Sequence, residues 1–314
     1  MDKHASDGMH DRCADVIKLV SSDDCGVIPP KFTNAIVVMT GGSSGIGRAI
    51  AEALLTNGAM VINMGRGNYR YGVPRWPLFV HISCDLKDPE SIYRACDKAH
   101  ATAPHIDVLI NCAAILPRID YPIGERSAVM CVNYLAHFQL MMMCNDLLKL
   151  SSCSLIVNVV SDTYRYARID CVDSVLEYKR QPGIMSYARS KHALMAVAAY
   201  ISTTCDQRSV CVHPGTALTG LYNELPQFTR CLAKLLGRSP ERIAAMVCGI
   251  ITEQRTNPAT SKSKSAYYVR RKMRGDIDSF VDPRVGCMLF ERSACELGLN
   301  YGTLLAVGSL PTVT

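Results

Sequence analysis

The chain has 314 residues, 48% of them hydrophobic and 20% charged, with 34 Lys plus Arg against 28 Asp plus Glu and a formal net charge of +6. Such a composition excludes global disorder and leaves room for one large α/β domain or two small ones. The charge is too mild for a nucleic-acid footprint, and the 15 cysteines, odd in number and without a Cys-x-x-Cys pair, read as reduced core residues such as Cys84, Cys112 and Cys211.

Residues 1–31 are polar, lack periodicity and end in Pro29-Pro30, which reads as an N-terminal extension ahead of a domain covering 32–314. The start has no apolar h-region, and the most apolar helical stretch, near Phe138–Met143, is broken by Gln139, Asn145 and Asp146, well short of the ~18 residues a span needs. Neither a secretory signal nor a transmembrane span is expected. The expected location is cytoplasmic, at most peripheral to a membrane.

From Ala35 onward, short β-rich runs alternate with helical patterns: Ala35–Met39, Ala49–Leu55, Met60–Met64, Phe79–Ser83, Val108–Ile110, Leu155–Val160 and Val210–Val212. This alternation predicts βαβ units and a Rossmann-type, doubly wound parallel sheet with helices on both faces. After about residue 220 the strand pattern lapses except at Ala266–Val269, and the tail, with its helical run Arg242–Thr252, reads as a substrate-side lid or the completion of the sheet edge. The basic run Lys262, Lys264, Arg270, Arg271, Lys272 and Arg274 reads as a solvated loop or helix face. No His-Glu-x-x-His and no Asn-x-Ser/Thr occurs, so no metal site is expected.

Directly after the first strand stands Thr40-Gly41-Gly42-Ser43-Ser44-Gly45-Ile46-Gly47, followed by a helical pattern. Glycines at 41, 45 and 47 allow a tight turn and a close approach of backbone to a pyrophosphate at a helix N-terminus. Asp85 follows the third strand, Asn111-Cys112-Ala113-Ala114 the fourth, and Ser161 ends the fifth. Asn133 stands at the start of an apolar helix, and Tyr187-Ala188-Arg189-Ser190-Lys191 precedes His213-Pro214-Gly215.

Together these motifs resemble the short-chain dehydrogenase/reductase superfamily over residues 40–219. Val132-Asn133-Tyr134-Leu135-Ala136-His137-Phe138 and the long insertion between Ser161 and Tyr187 look most like its retinol-dehydrogenase-like branch. The family's Asn-Asn-Ala-Gly is altered here, since Cys112 and Ala114 replace Asn and Gly.

The resemblance implies an oxidoreductase that interconverts an alcohol and its carbonyl with Tyr187, Lys191, Ser161 and Asn133. Tyrosine ordinarily titrates near ~10, so serving near neutrality needs roughly 4 kcal/mol of help. Lys191, four residues on, shares its helix face and can supply it. Ser161 polarises the substrate oxygen, and Asn133 holds a water that links Lys191 to solvent or else caps buried backbone groups.

Gly41, Ser43, Ser44, Gly45, Ile46, Gly47, Asp85, Leu86, Asn111, Ala113, Pro214, Gly215 and Thr219, with Tyr187 and Lys191, are the implied cofactor contacts. Asp85 is alternatively the cap of a helix. The second strand ends in Gly65-Arg66 without an acid, which favours NADP over NAD, because a guanidinium can bind a ribose phosphate that a carboxylate would repel.

Tyr164, Tyr166, Tyr178, Leu218, Leu221, Tyr222 and Phe228 are expected around an apolar, retinoid-, steroid- or aldehyde-like substrate. A homodimer through helices near 134–150 and 187–203 is implied, with Met141-Met142-Met143 lining the contact or filling the interior. The alternative is a non-catalytic dinucleotide-binding scaffold or redox sensor on the same fold.

Overall fold

A computed structural model describes residues 32–66 and 78–299, apart from 168, 170, 206, 217–220, 222–223, 225–236 and 257–263. The proposed extension 1–31 and part of the lid region, including 225–236 and 257–263, lie outside the described residues.

The runs rich in Val, Ile and Leu form β1 (Ile36–Thr40), β2 (Met60–Gly65), β3 (Phe79–Ser83), β4 (Val108–Asn111), β5 (Leu155–Val159), β6 (Ser209–His213) and β7 (Ser265–Val269). With β8 (Lys272–Gly275) they make one sheet in the order β8-β7-β6-β5-β4-β1-β2-β3. All pairings are parallel except that of β8 with β7. Strands β1, β4 and β5 are buried along their whole length, which is why they read as continuous apolar runs rather than alternating ones.

The helices are α1 (Gly45–Thr56), α2 (Pro89–Thr102), α3, α4 (Asn145–Lys149), α5 (Gly183–Thr204), α6 (Pro240–Thr256) and α7 (Pro283–Glu296). Helix α3 runs through Ala128–Met130, a π turn at Cys131–Leu135 and Ala136–Met143. Alternate strand residues feed two cores. Val37, Met39, Val108 and Val157 pack under α1 and α6, while Val38, Leu109 and Ile156 pack under α2, α3, α5 and α7. No described helix is long and apolar enough to cross a membrane.

The strand order reverses between β1 and β4, so their carboxyl ends splay a crevice of the kind where ligands bind in open α/β sheets. Thr40-Gly41 and Asn111-Cys112 end at that crevice.

Several expectations change. The basic run is a loop only in part: Lys264, Arg270 and Arg271 lie in loop or turn positions, and the rest of its described part is strand rather than helix. Arg270, at φ +56°, and Arg271 form the turn of a hairpin, and Lys272 and Arg274 lie on the exposed edge strand β8, where charge discourages pairing with another sheet. The β-pattern missed this strand because an edge strand needs no apolar face. The described tail therefore completes the sheet edge, and α6 and α7 cover the two faces.

Met141, Met142 and Met143 fill the interior. The cysteines are free where described, and Cys84 and Cys211 are core residues, but Cys171 and Cys295 are exposed.

Candidate active site

The glycine loop is shaped by contacts that leave no room for side chains. Gly41 has φ +74°, and a Cβ there would stand 2.9 Å from Ala113 Cα, while a Cβ on Gly47 would strike the carbonyl of Gly41. Asn63, buried in β2, accepts a hydrogen bond from the Gly42 N–H at 2.8 Å and pins the loop. Ser44 stands at the N-cap of α1 without capping it, and the first turn holds no acid, so the helix opens with uncapped N–H groups and a positive dipole end.

Tyr187 and Lys191 lie one turn apart on α5, both buried, with the ammonium 5.5 Å from the phenol ring centroid. Lys191 Nζ donates to the Val159 carbonyl at 2.8 Å, which fixes it at the end of β5. Burial pushes its pKa down to about 8, so the charge this site needs is held at a cost. Ser161 follows β5, and its hydroxyl accepts from Thr163 N–H at 3.3 Å, leaving its own proton to donate. His213 ends β6 beside Asp162, whose N–H reaches its Nδ1 at 3.3 Å, and burial lowers its pKa.

The segment after β4 is clamped along its length. Thr40 Oγ1 accepts from the N–H groups of Cys112 and Ala113 at 3.1 Å each. Asn133, wholly buried in the π turn of α3, accepts from Ile115 N–H at 2.8 Å and donates to the Ile115 carbonyl at 3.0 Å.

One cleft of about 900 Å³ joins these parts. Gly41, Ser43, Ser44, Gly45, Ile46, Gly47, Arg66, Asp85, Leu86, Ala113, Ser161, Tyr187, Lys191, Pro214 and Gly215 all line it. The glycine cradle and the uncapped helix end suit the phosphates of a dinucleotide.

Residues 35–230 match the sequence model of the short chain dehydrogenase family. The chain belongs to the short-chain dehydrogenase family.

Its likeness runs to the retinol-dehydrogenase-like branch of the family. Retinol dehydrogenase 14 of Mus musculus is 31% identical over 225 residues, covering 64% of this chain and 67% of that protein. The Homo sapiens counterpart is 32% identical, with 59% and 62% covered. The matched part of the dehydrogenase thus spans about two thirds of these relatives' length or slightly less. Among solved structures, a short chain dehydrogenase from Salmonella enterica serovar Typhi superposes with a TM-score of 0.60 at 20% identity, covering 78% of this chain and 99% of that one. A Shigella flexneri chain complexed with NADP gives 0.59 at 20% identity, covering 77% and 100%.

Three expected site positions, Asn111, Asn133 and Thr219, fall away from the cleft or outside the described residues, and Asp85 lines the cleft without its expected cap. Asn111 does not reach the cleft: it is fully buried and its Nδ2 donates to Asn158 at 2.8 Å. Asn133 sits behind Ile115 and takes the backbone-capping role, within a helix that begins earlier, at Ala128. Asp85 is not a helix cap. Its carboxylate accepts from Lys87 N–H at 3.0 Å, and Asp88 caps α2 instead. Thr219 lies outside the described residues, as do Leu218, Tyr222 and Phe228.

Of the expected substrate wall, Tyr166 and Leu221 line the cleft. Tyr164 is buried against Tyr267, and Tyr178 donates from its hydroxyl to the Asp120 carbonyl at 3.4 Å. Neither Thr40 nor Asn63 stands among the expected site residues, yet both pin the segments that line the cleft. Thr40 was findable as the residue ending the strand before the glycines, whereas Asn63 offered no signal, because only the sheet register sets its amide beside Gly42.

Proposed function

We propose that this dehydrogenase interconverts an alcohol and its carbonyl on an apolar substrate, with NADP(H) as the preferred cofactor. The observation that carries the reading is the Lys191 ammonium 5.5 Å from the Tyr187 ring, on the same cleft as the glycine cradle. The cradle residues Gly41 and Ser43–Gly47 would hold the phosphates. Arg66, at the end of β2, would hold a ribose phosphate, and Asp85 and Leu86 the adenine side. Bound nicotinamide supplies or accepts the hydride.

The chain's own residues do the rest. Ser161 donates to the substrate oxygen and polarises it, and Tyr187 exchanges a proton with that oxygen. Lys191 favours the tyrosinate form between turnovers. Ile115, Leu116, Val160, Tyr166 and Leu221 give the cleft an apolar wall suited to a retinoid-, steroid- or aldehyde-like substrate. The Asn133 side-chain amide spends both of its N–H groups on Ile115 and Ser190 and has none left for a relayed water. The redox-sensor alternative is disfavoured at Cys112, where burial pushes the thiol up to about 11 and keeps it protonated.

A homodimer is what the resemblance implies. Helix α7 packs on part of both expected helices, with Phe290 5.4 Å from Phe138 and 5.2 Å from Tyr200 between ring centroids.

The test is NADPH oxidation with panels of retinoid, steroid and aliphatic carbonyls. Turnover that falls roughly a hundredfold or more in Tyr187→Phe is expected. No turnover with any carbonyl, or full turnover by Tyr187→Phe, would sink the reading.

A further inference from the structure

We propose that His137 is a positioning residue of this site: a neutral ring, protonated on Nδ1, that locks the Asn133 turn to the phosphate-loop strand and so holds residues 112–115 against the helix of Tyr187. The consequence for catalysis rests on the oxidoreductase reading above. The geometry does not.

Counting donors fixes the tautomer. Thr40 Oγ1 has two lone pairs and one proton, and the N–H groups of Cys112 and Ala113 take both lone pairs. Its proton goes to the remaining neighbour, His137 Nε2 at 3.0 Å, which is therefore an acceptor without hydrogen. The ring's proton then sits on Nδ1, 3.1 Å from the Asn133 carbonyl, and donates to it. Burial first, and the Lys191 charge second, push the ring's pKa down to about 3, in keeping with a ring that never charges near neutrality.

This bond lands where α3 departs from regular geometry. Cys131–Leu135 is a π turn, in which Ala136 N–H reaches back to Cys131. His137 supplies a side-chain donor to the Asn133 carbonyl inside that turn. Asn133 in turn grips Ile115 through both amide atoms and donates at 3.2 Å to Ser190 Oγ, whose proton goes to the Tyr187 carbonyl at 2.7 Å. The two ring nitrogens thus join two separate clamps on one cleft-lining segment, in a chain that runs from Thr40 to the backbone of Tyr187.

Two variants divide the roles. His137→Gln can still accept from Thr40 but cannot reach the Asn133 carbonyl. His137→Asn places an amide donor where Nδ1 was and leaves Thr40 without its acceptor. In His137→Gln, kcat is expected to fall between about tenfold and about a hundredfold, with the NADPH Kd changed by less than about threefold. In His137→Asn, kcat stays closer to wild type, but NADPH binding weakens and amide exchange at Cys112 and Ala113 accelerates at least roughly tenfold.

Imidazole ¹⁵N NMR of the wild-type protein, free of ligand, should report a proton on Nδ1 and no titration between about pH 5 and about pH 9. A proton on Nε2 or a ring that titrates in that range would overturn the proposal, as would wild-type exchange and kcat in both variants. Parallel losses of kcat, binding and melting temperature in both variants would mark a merely structural histidine and overturn it too. Absence of turnover in the wild type would defeat the oxidoreductase reading while the NMR and exchange arms still decide the clamp.

Discussion

At the scale of single residues, Lys191 shows a site built against the stability of the fold. Its ammonium is 1% exposed, and burial lowers its pKa from 10.5 to about 8, so the unfolded chain binds the proton more tightly than the folded one. The penalty is fully present below about pH 8 and is relieved as pH rises from there toward 10.5. Lys191→Met is therefore expected to gain up to about 3 kcal/mol at pH 7 in urea unfolding of the cofactor-free protein, with the gain shrinking in alkali, while turnover is lost. A destabilised variant would show that the ammonium is better paired than its bond to the Val159 carbonyl implies. Gly47→Ala belongs to the same scale: a Cβ there strikes the Gly41 carbonyl, so NADPH binding should weaken at least about tenfold by fluorescence titration.

Between elements, α2 and α4 are joined by His100 and Asp146, 3.0 Å apart. The Asp146 carboxylate raises the His100 pKa from 6.5 to about 9, and His100 lowers that of Asp146. A raised histidine stabilises the fold fully below pH 6.5 and loses that contribution as pH climbs through about 9. Solvent reaches both side chains, which reduces the effect to about 1 kcal/mol. His100→Gln should flatten the fall in stability across that window, and an unchanged pH profile would refute the assignment.

Helix α7 crosses α5 at Gly286, where a Cβ would collide with the Ala196 carbonyl. Gly286→Val is expected to cost roughly 1 to 3 kcal/mol of stability in thermal melts while leaving the NADPH Kd near wild type.

Over the whole molecule, ligand binding should report cofactor choice. NADPH at about a hundred times its Kd adds about 2.7 kcal/mol to folding, and NADH at equal concentration should add less. Arg66→Ala should shrink the difference between the two in thermal shift, and an equal shift by both cofactors in the wild type would remove Arg66 from the ribose phosphate.

The alternation of β-rich runs with helices fixed the layers, because parallel strands buried on both faces are continuously apolar, as β1, β4 and β5 are. The glycine loop, Ser161, Tyr187 and Lys191 were legible because their chemistry depends on local spacing: a turn at a strand end and one turn of helix.

What the sequence could not supply is what depends on which segments meet. The edge strand β8 carries no apolar stripe, so it was invisible until β7 paired with it. Asn111 and Asn133 sit at family positions in the chain, yet partners 47 and 18 residues away turn their amides from the cleft. Residue type and spacing determined the cradle and the tyrosine–lysine pair. Tertiary packing alone decided where buried hydrogen-bonding groups spend their donors, because each must find a partner within about 3 Å and only the fold sets who stands that near.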